Sequence, residues 1–358
     1  MADPTRVLVI DDSALVRKLL SEILASDPDI EVVGTAPDAK VALKKIQSLR
    51  PHVLTLDVEM PGMDGLTFLE RLMKSQPLPV VMVSAYTQAG APTALRALEL
   101  GAVEVIGKPQ SGLRVGMEEI SVQIIDTVKA ARHARIKDSR QLFLRPKAKQ
   151  STDAELPKLM KPLRTGFRET VIAVGASTGG TEALLELLQP LPETMPGIVV
   201  VQHMPAVFTK SFAERLNQQC RLEVKEAEAG DMVHSGRVLI APGDQHLLLE
   251  SAERGYRVRL QDSPLVNRHR PAVDVLFRSV AQVAGRQAIG VILTGMGNDG
   301  ADGMREMRDS GAHNLAQDEA SCVVFGMPKV AIERGGVDQM LSLEAISVLL
   351  MQLTHEQG

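Results

Sequence analysis

The chain of 358 residues is longer than one hydrophobic core usually organises, which predicts two domains of ordinary size. Its formal net charge of −4 and its few aromatic residues (no Trp, two Tyr, seven Phe) exclude a strongly basic or base-stacking nucleic-acid binder. Two widely separated cysteines and the lack of a secretory signal or long apolar run exclude a disulfide framework, a thiolate zinc site and membrane insertion, so we expect a cytoplasmic protein.

Charge and composition divide the chain into three parts. Residues 1–130 and 169–358 are acidic and contain many apolar runs, whereas residues 131–168 are basic, contain several prolines and lack a strand pattern. Such a composition is typical of a solvated linker, and its apolar pairs leave docking on a domain or a partner as the alternative. We therefore predict two domains joined by a basic linker, with these boundaries.

The first domain alternates β-branched runs with helical patterns. RVLVIDD, IEVVGTA, HVLTLDVEM, PVVMVSA and VEVIGKP are strand-like, and patterns such as SALVRKLLSEILAS and GLTFLERLMKS lie between them. This βα repetition predicts a doubly wound parallel sheet of the flavodoxin-like type, with helices on both faces.

Polar side chains follow the ends of these strands, and the carboxyl ends of parallel strands share the edge where ligands bind. Asp11 and Asp12 follow the first strand, Asp57 the third, Ser84 the fourth and Lys108 the fifth. Converging carboxylates need a cation, and hard oxygen ligands favour Mg²⁺. With Mg²⁺ and Lys108 neutralising charge, Asp57 can accept a phosphoryl group. The competing interpretation is that these acids cap helices, as Asp12 could.

The motifs DD, LTLDVEMPGMDG, VVMVSA and GKP resemble the receiver domain of response regulators. The resemblance implies that a histidine kinase phosphorylates Asp57. The other implied site residues are the Mg²⁺ ligands Asp12, Asp57 and the Glu59 carbonyl, with Asp11 nearby, and the switch residues Ser84 and Lys108. One departure is Val105, where many receivers have an aromatic residue; Tyr86 is either a substitute or an ordinary surface residue.

Residues 169–358 contain further βα patterns. TVIAVGAS runs into TEALLELLQ, GIVVVQH into FTKSFAERLNQ, and QAIGVILTGMGNDG into ADGMREMRDSG. Between the second and the third, VHSGRVLIAPGDQHLLLE and YRVRLQDS have the turns and the alternation of antiparallel strands. The prediction is an α/β domain with a small antiparallel β insertion.

The stretch VIAVGASTGGTEALLELLQ sets Ser177 in a glycine-rich turn between a strand and a helix. A dinucleotide fingerprint needs glycine where Ser177 stands, and no GK[ST] follows, so neither phosphate-binding loop is predicted. GASTG instead fits G-x-S-x-G, a sharp turn that exposes a nucleophilic hydroxyl. A serine that caps the helix is the alternative, and the partners of Ser177 must decide.

A nucleophilic serine needs a base, and the base needs an acid to orient it. His203 ends the run GIVVVQH, and Asp299 lies in the glycine-rich loop after AIGVIL, so both are expected at the sheet edge of Ser177. The alternatives that stay open are His246 and His269 for the base and Asp302 for the acid. The order Ser, His, Asp differs from that of the α/β-hydrolases.

The backbone N–H groups of Thr178 and Met296 are the predicted oxyanion donors, and ester hydrolysis by this set needs no metal. The competing interpretation is a zinc site formed by His203, His246 and His269. No HExxH or CxxC motif accompanies those histidines.

The motifs GASTGG, QHMP, IAPGDQH, VNRHRP, LTGMGNDGADG and SCVVFGMP resemble the catalytic domain of the CheB family, the chemotaxis protein-glutamate methylesterases. With the receiver in front, the resemblance covers essentially the entire chain. It implies phosphorylation-controlled hydrolysis of glutamate methyl esters, and deamidation of glutamines, on chemoreceptor cytoplasmic domains. The matching positions are nucleophile Ser177, base His203 and acid Asp299, with Thr178 and Met296 lining the site. One departure is Ala272, where relatives frequently have serine.

Two other functions stay open on the residues alone. In one, the serine loop holds a ligand without turnover in a receiver-controlled binding module. In the other, the domain is a generic esterase for small soluble esters. Labelling of Ser177 by a serine-directed phosphonate would distinguish an enzyme from a binding module. A preference for receptor substrates would distinguish a receptor methylesterase from a generic esterase.

Overall fold

The computed structural model describes residues 3–85, 91–108, 113–134 and 170–355. The chain divides into two compact units, Met1–Leu144 and Arg145–Gly358. Residues 135–168 of the predicted linker lie outside the described residues, as does Tyr86.

The described part of the first unit alternates strands and helices as the sequence predicts. In chain order these are β1 (Thr5–Ile10), α1 (Ala14–Ala25), β2 (Ile30–Ala36), α2 (Ala39–Leu49), β3 (Val53–Asp57), α3 (Gly65–Ser75), β4 (Val80–Ala85), α4 (Ala91–Glu99), β5 (Glu104–Lys108), α5 (Leu113–Glu119) and α6 (Ser121–Arg132). The strands are parallel, in the order β2-β1-β3-β4-β5. The predicted doubly wound sheet is confirmed, and α6 ends just beyond residue 130.

Short polar side chains fix the starts of three helices in this unit. Ser13, Asp38 and Asp64 occupy the N-cap positions of α1, α2 and α3, and each side chain accepts a hydrogen bond from a first-turn N–H. The interpretation of Asp12 as the cap of α1 is therefore wrong, because Ser13 fills that role. Asp12 is left exposed at the carboxyl edge of the sheet.

The second unit continues the alternation around a larger sheet. Its elements are β6 (Val171–Ala176), α7 (Gly180–Leu188), β7 (Gly197–Gln202), α8 (Ala206–Gln219), β8 (Glu223–Glu226), β9 (Met232–Val233), β10 (Arg237–Ile240), β11 (His246–Ser251), β12 (Tyr256–Gln261), α9 (Val273–Val283), a 3₁₀ turn (Gly285–Gln287), β13 (Ala288–Ile292), α10 (Ala301–Asp309), β14 (His313–Gln317), α11 (Met327–Glu333), β15 (Gln339–Leu341) and α12 (Leu343–His355).

The large sheet is parallel and has the order β15-β14-β13-β6-β7-β10-β8. From β6 the chain builds outward through β7 on one side, and it later returns to β13 on the other side. In open α/β sheets, ligands bind at the carboxyl ends of strands where the direction of building reverses. The fold therefore favours the ends of β7, β6 and β13 as the site.

The antiparallel insertion is smaller than the sequence suggests. β9, β11 and β12 form a three-stranded antiparallel sheet, as predicted. The run RVLI, however, is β10, which pairs in parallel with β7 and β8 in the main sheet. Its residues Val238 to Ile240 are buried, and burial on both faces suits a strand inside a parallel sheet.

Helix α9 packs its apolar side chains into the core of the second unit. Val273, Leu276, Phe277 and Val280 are buried in the same cluster as strand residues of β6 and β7. The N–H groups of its first two residues donate to Asp299. No helix within the described ranges is both long and apolar enough to cross a membrane.

We expect Phe277→Ala to destabilise the second unit by about 3–5 kcal/mol, because Phe277 is fully buried and alanine leaves a cavity. Calorimetric unfolding of the full chain should show a lower transition temperature for this unit and an unchanged one for the first. Met340→Ala is the control, since Met340 is 54% exposed. An unaltered transition in Phe277→Ala would contradict this packing.

Candidate active site

Ser177 lies in a tight turn between β6 and α7. Its N–H donates to Thr294 O at 3.0 Å, and its carbonyl accepts from Gly180 N–H at 2.6 Å. Gly179 has a φ of 76°, a left-handed conformation that favours glycine. The structure therefore contains the strand-to-helix turn that the G-x-S-x-G pattern predicts.

His203 follows β7, next to the turn of Ser177. Ala176 of β6 pairs with Gln202 of β7, and His203 N–H donates to Ala176 O at 3.1 Å. Ser177 and His203 thus leave neighbouring strands at the same level of the sheet. The two strands bring together residues that are 26 positions apart in the sequence.

Asp299 forms a hydrogen bond with His203, between Oδ2 and Nε2 at 2.8 Å. Its carboxylate is 1% exposed and lies in the loop between β13 and α10. Two backbone N–H groups at the start of α9, those of Val273 and Asp274, also donate to it, at 2.6 and 3.1 Å. The carboxylate thus accepts donors from β7 and α9, which fixes the plane of the His203 ring.

The pKa of Asp299 reflects two opposed effects. Burial acts to raise it, but the hydrogen bonds and the charge of His203, together with the Asn267 amide and the Val273 N–H, lower it to about 2. Asp299 is therefore an anion at neutral pH. Asp299 binds His203 at Nε2, and within the described residues the other ring nitrogen, the buried Nδ1, has no hydrogen-bond partner.

The alternative partners occupy other positions. His246 is fully buried, with Nδ1 accepting from Ala272 N–H and Nε2 bonded to Pro264 O, so both ring nitrogens are engaged. Asp302 is bonded to Arg334 on the exposed side of α10. His269 stacks on His203, with ring centroids 3.7 Å apart and an interplanar angle of 10°.

The zinc interpretation is not supported by this arrangement. Among the described residues, the metal-compatible cluster of acidic, histidine and cysteine side chains is Asp11, Asp12 and Asp57 in the first unit. The stacked rings of His203 and His269 face one another rather than converging on a shared point.

The two predicted oxyanion donors are backbone N–H groups in the turns that follow β6 and β13. Within the described ranges, neither Thr178 N–H nor Met296 N–H donates a hydrogen bond to the protein. Met296 follows Gly295, whose N–H donates to Val324 O at 3.0 Å and holds this loop against the loop that carries Cys322 and Val324. Unused N–H groups on fixed turns are what anion stabilisation requires.

Two residues of this site, Asn267 and Gln202, were not predicted from the sequence. Asn267 Nδ2 donates to both Asp299 Oδ1 and Asp274 Oδ2, at 2.8 and 2.6 Å. Gln202 Nε2 donates to the carbonyls of Ser177 and His203. The only sequence signal was that these residues lie inside the motifs VNRHRP and QHMP. Ala272, the departure from the family pattern, precedes α9 and is fully buried.

The strand ends of the first unit meet as predicted. Lys108 Nζ lies 2.7 Å from both Asp11 Oδ2 and Asp57 Oδ2. Ser84 pairs with Gly107, next to Lys108, and Val105 is buried in β5. The cation and the carboxylates therefore share the edge.

Burial raises the pKa of Asp57, and Asp11 adds to this, whereas Lys108 and the Glu59 N–H oppose it. For Lys108, burial acts to lower the pKa, but the two carboxylates outweigh it and the pKa is raised. Asp11, Asp12 and Asp57 each offer an oxygen, all within 4.8 Å of one another. Three clustered carboxylate oxygens on one open edge fit Mg²⁺.

Comparisons with known proteins agree with both units. A family model described as CheB methylesterase matches residues 172–350, and one described as response regulator receiver domain matches residues 7–115. A protein-glutamate methylesterase/protein-glutamine glutaminase of Pectobacterium atrosepticum is 56% identical over 354 residues, covering 99% of this chain and 98% of that protein.

A protein of the same description from Geobacter metallireducens is 52% identical, over 99% of this chain and 97% of its own length. The crystal structure of the Thermotoga maritima CheB methylesterase catalytic domain is 44% identical, with a TM-score of 0.51, and covers 52% of this chain and 98% of that domain.

The stacked histidine gives a pH-dependent contribution to stability. Burial, followed by the charges of His203 and Arg268, lowers the pKa of His269 to about 3 from 6.5. Between these values the unfolded chain binds the extra proton, so the free energy of unfolding falls as the pH falls, by at most about 1.4 kcal/mol per pH unit. Urea denaturation at pH 7 and pH 5 should show a smaller decrease for His269→Gln than for the wild type; an equal decrease would contradict the assignment.

Proposed function

Because the chain belongs to the CheB methylesterase family and carries a response regulator receiver domain, we propose that Ser177, His203 and Asp299 are its catalytic triad. The substrates are glutamate methyl esters, and specific glutamines, on the cytoplasmic domains of chemoreceptors. The relatives are named for both activities. The protein works in the cytoplasm, where these receptor domains are found, and its activity serves chemotactic adaptation.

The observation that carries this proposal is the 2.8 Å hydrogen bond between His203 and the buried Asp299, beside the Ser177 turn. A buried carboxylate bonded to one imidazole nitrogen fixes the tautomer and stabilises the imidazolium that forms when the other nitrogen accepts a proton. A helix-capping serine would need no such pair. The pair therefore favours nucleophilic catalysis over a binding module.

The first half of the reaction forms an acyl-enzyme. Ser177 Oγ attacks the side-chain ester carbonyl and its proton passes to His203, so that a tetrahedral oxyanion forms. The N–H groups of Thr178 and Met296 donate to that oxyanion; one such donor contributes about 3–4 kcal/mol in a related mechanism. As the oxyanion collapses, the C–O bond to the methoxy group breaks, and His203 returns the proton to release methanol.

The second half restores the enzyme. His203 takes a proton from water, the hydroxide attacks the glutamyl ester of Ser177, and the Ser177 oxygen leaves with the proton from His203. The product is a glutamate carboxylate. With a glutamine side chain the same steps release ammonia in place of methanol, and no step of either reaction needs a metal.

The first unit controls this activity through phosphorylation. Asp57 accepts the phosphoryl group from a chemotaxis histidine kinase. Asp12, Asp57 and the Glu59 carbonyl, with Asp11 nearby, would hold the Mg²⁺ ion. When bound, Mg²⁺ neutralises charge on the transferring group. Lys108 pairs with the phosphorylated side chain, and Ser84 donates its hydroxyl to it. The 2.7 Å ion pair between Lys108 and Asp57 supports this assignment.

Ser177→Ala should abolish methanol release from methylated receptor fragments, because no nucleophile is left, and should leave phosphorylation of Asp57 intact. Methanol is measured by gas chromatography and phosphate incorporation with labelled phosphodonor. Ser310→Ala is the control: Ser310 caps the exposed end of α10, and its loss should change neither rate. Methanol release by Ser177→Ala at the wild-type rate would contradict the triad assignment.

Chelation of Mg²⁺ should prevent phosphorylation of Asp57 without slowing ester hydrolysis by the unphosphorylated chain, because the two sites use different chemistry. With Mg²⁺ and phosphodonor present, methanol release should rise in the wild type and stay constant in Asp57→Asn. Loss of the basal hydrolysis on chelation would show that the ester site itself uses a metal, contrary to the proposal.

A further inference from the structure

Gln202, the last residue of β7, connects the two turns that carry Ser177 and His203. Its side-chain Nε2 donates to Ser177 O at 3.0 Å and to His203 O at 3.2 Å. A single amide group thus holds the backbone of both residues. We propose that Gln202 is a positioning residue that fixes the distance between nucleophile and base, a role that rests on the proposed function of those two residues.

The backbone hydrogen bonds between β6 and β7 do not extend to the carbonyls of Ser177 and His203. The pairing of β6 with β7 ends at Ala176 and Gln202, followed by the bond from His203 N–H to Ala176 O. Beyond this level the chains diverge, one into the turn before α7 and the other towards α8. The Gln202 amide adds a cross-link at the level where the reactive side chains are attached.

The surroundings of Gln202 make this cross-link hard to replace. The residue is 2% exposed, and its bond to Ser177 O is buried. Without the amide, Ser177 O keeps its bond from Gly180 N–H but loses its connection to the end of β7, and water cannot readily replace the lost donor at a buried position. Removal of the amide should therefore move the Ser177 turn rather than leave it in place.

The same side chain explains a glycine of the GASTGG motif. A Cβ at Gly180 would overlap Gln202 Oε1, its nearest neighbour, and would also lie only 2.8 Å from Ala176 Cβ, so the amide occupies much of the space that a side chain there would fill. Gly180 N–H also donates to Ser177 O, the carbonyl that Gln202 Nε2 contacts. The motifs GASTGG and QHMP are thus coupled through a direct contact.

The position of the Gln202 amide affects the rate because acyl transfer needs the Ser177 hydroxyl and the His203 imidazole to be aligned. A displacement of about 1 Å can lower the rate about 10²-fold. Gln202 bonds to backbone and not to the reacting atoms. Its loss should therefore lower kcat while leaving KM nearly unchanged, and should slow phosphonate labelling of Ser177 in parallel with kcat.

Asn314 offers a matched control in the same unit. It is fully buried in β14, and its Nδ2 donates to two carbonyls, Met304 O at 2.6 Å and Gly336 O at 2.7 Å. Neither carbonyl belongs to a residue of the site. Asn314→Leu removes an equivalent pair of buried amide–carbonyl hydrogen bonds, so it shows how far a loss of stability alone changes kcat.

The experiment compares Gln202→Met and Asn314→Leu in the full chain. We expect Gln202→Met to lower kcat and the labelling rate by about 10- to 10²-fold with KM within about twofold, and Asn314→Leu to keep kcat within about twofold at a similar fall in Tm. Wild-type kcat in Gln202→Met would overturn the proposal, as would equal losses of kcat in both variants.

A second set of variants tests the contact with Gly180. Gly180→Ala should lower kcat because its Cβ presses on the Gln202 amide and also on Ala176 Cβ. In the Gly180→Ala/Gln202→Ala double variant only the contact with Ala176 remains, so its loss of kcat should be smaller than the sum of the two single losses. Fully additive losses would contradict the coupling. Wild-type labelling is measured first: its absence contradicts the proposed function, whereas normal wild-type labelling with an unaffected Gln202→Met contradicts only the role of Gln202.

Discussion

The buried carboxylate of Asp299 is the constraint on which the site of the second unit depends. A charge with 1% exposure is stable only if it is paired and hydrogen-bonded. Asp299 obtains its partners from His203, from Asn267 and from the first turn of α9. Each partner comes from a different segment, so satisfying one carboxylate fixes a strand end, a loop and a helix start together. Loss of any of them leaves the anion short of a donor.

The first unit also has buried carboxylates, and a lysine compensates their charge. Its carboxylates lie at the same edge of a parallel sheet, but several are clustered, and Lys108 is the cation that bridges Asp11 and Asp57. Burial raises the pKa of Asp57, whereas hydrogen bonds and charge hold the pKa of Asp299 near 2. A carboxylate that several donors hold, as in Asp299, is an anion at neutral pH and orients its neighbour. A clustered one is poised to exchange its partner for a metal or a phosphoryl group.

The sequence predicted the polar residues that end or directly follow buried strands, because they are adjacent in the chain to an apolar run. Ser177, His203, Asp57 and Lys108 are of this kind. It did not predict that RVLI joins the main sheet, since periodicity carries no information about which strands pair. Asn267 was missed for a related reason: it lies in a loop with a positive φ of 51°, and its importance comes from a contact 32 residues away.

At this site the loop VNRHRP adds contacts that the strand order alone does not provide. The order β7-β6-β13 brings the ends that carry His203, Ser177 and Asp299 together, but a strand end fixes only where a side chain begins. The loop supplies Asn267 to Asp299, and His269 stacks on His203. Because the pKa of His269 is held near 3, this second imidazole stays neutral at neutral pH and places no positive charge beside His203. The sheet thus determines which groups meet, and the loop determines how they are oriented and which of them carries the charge.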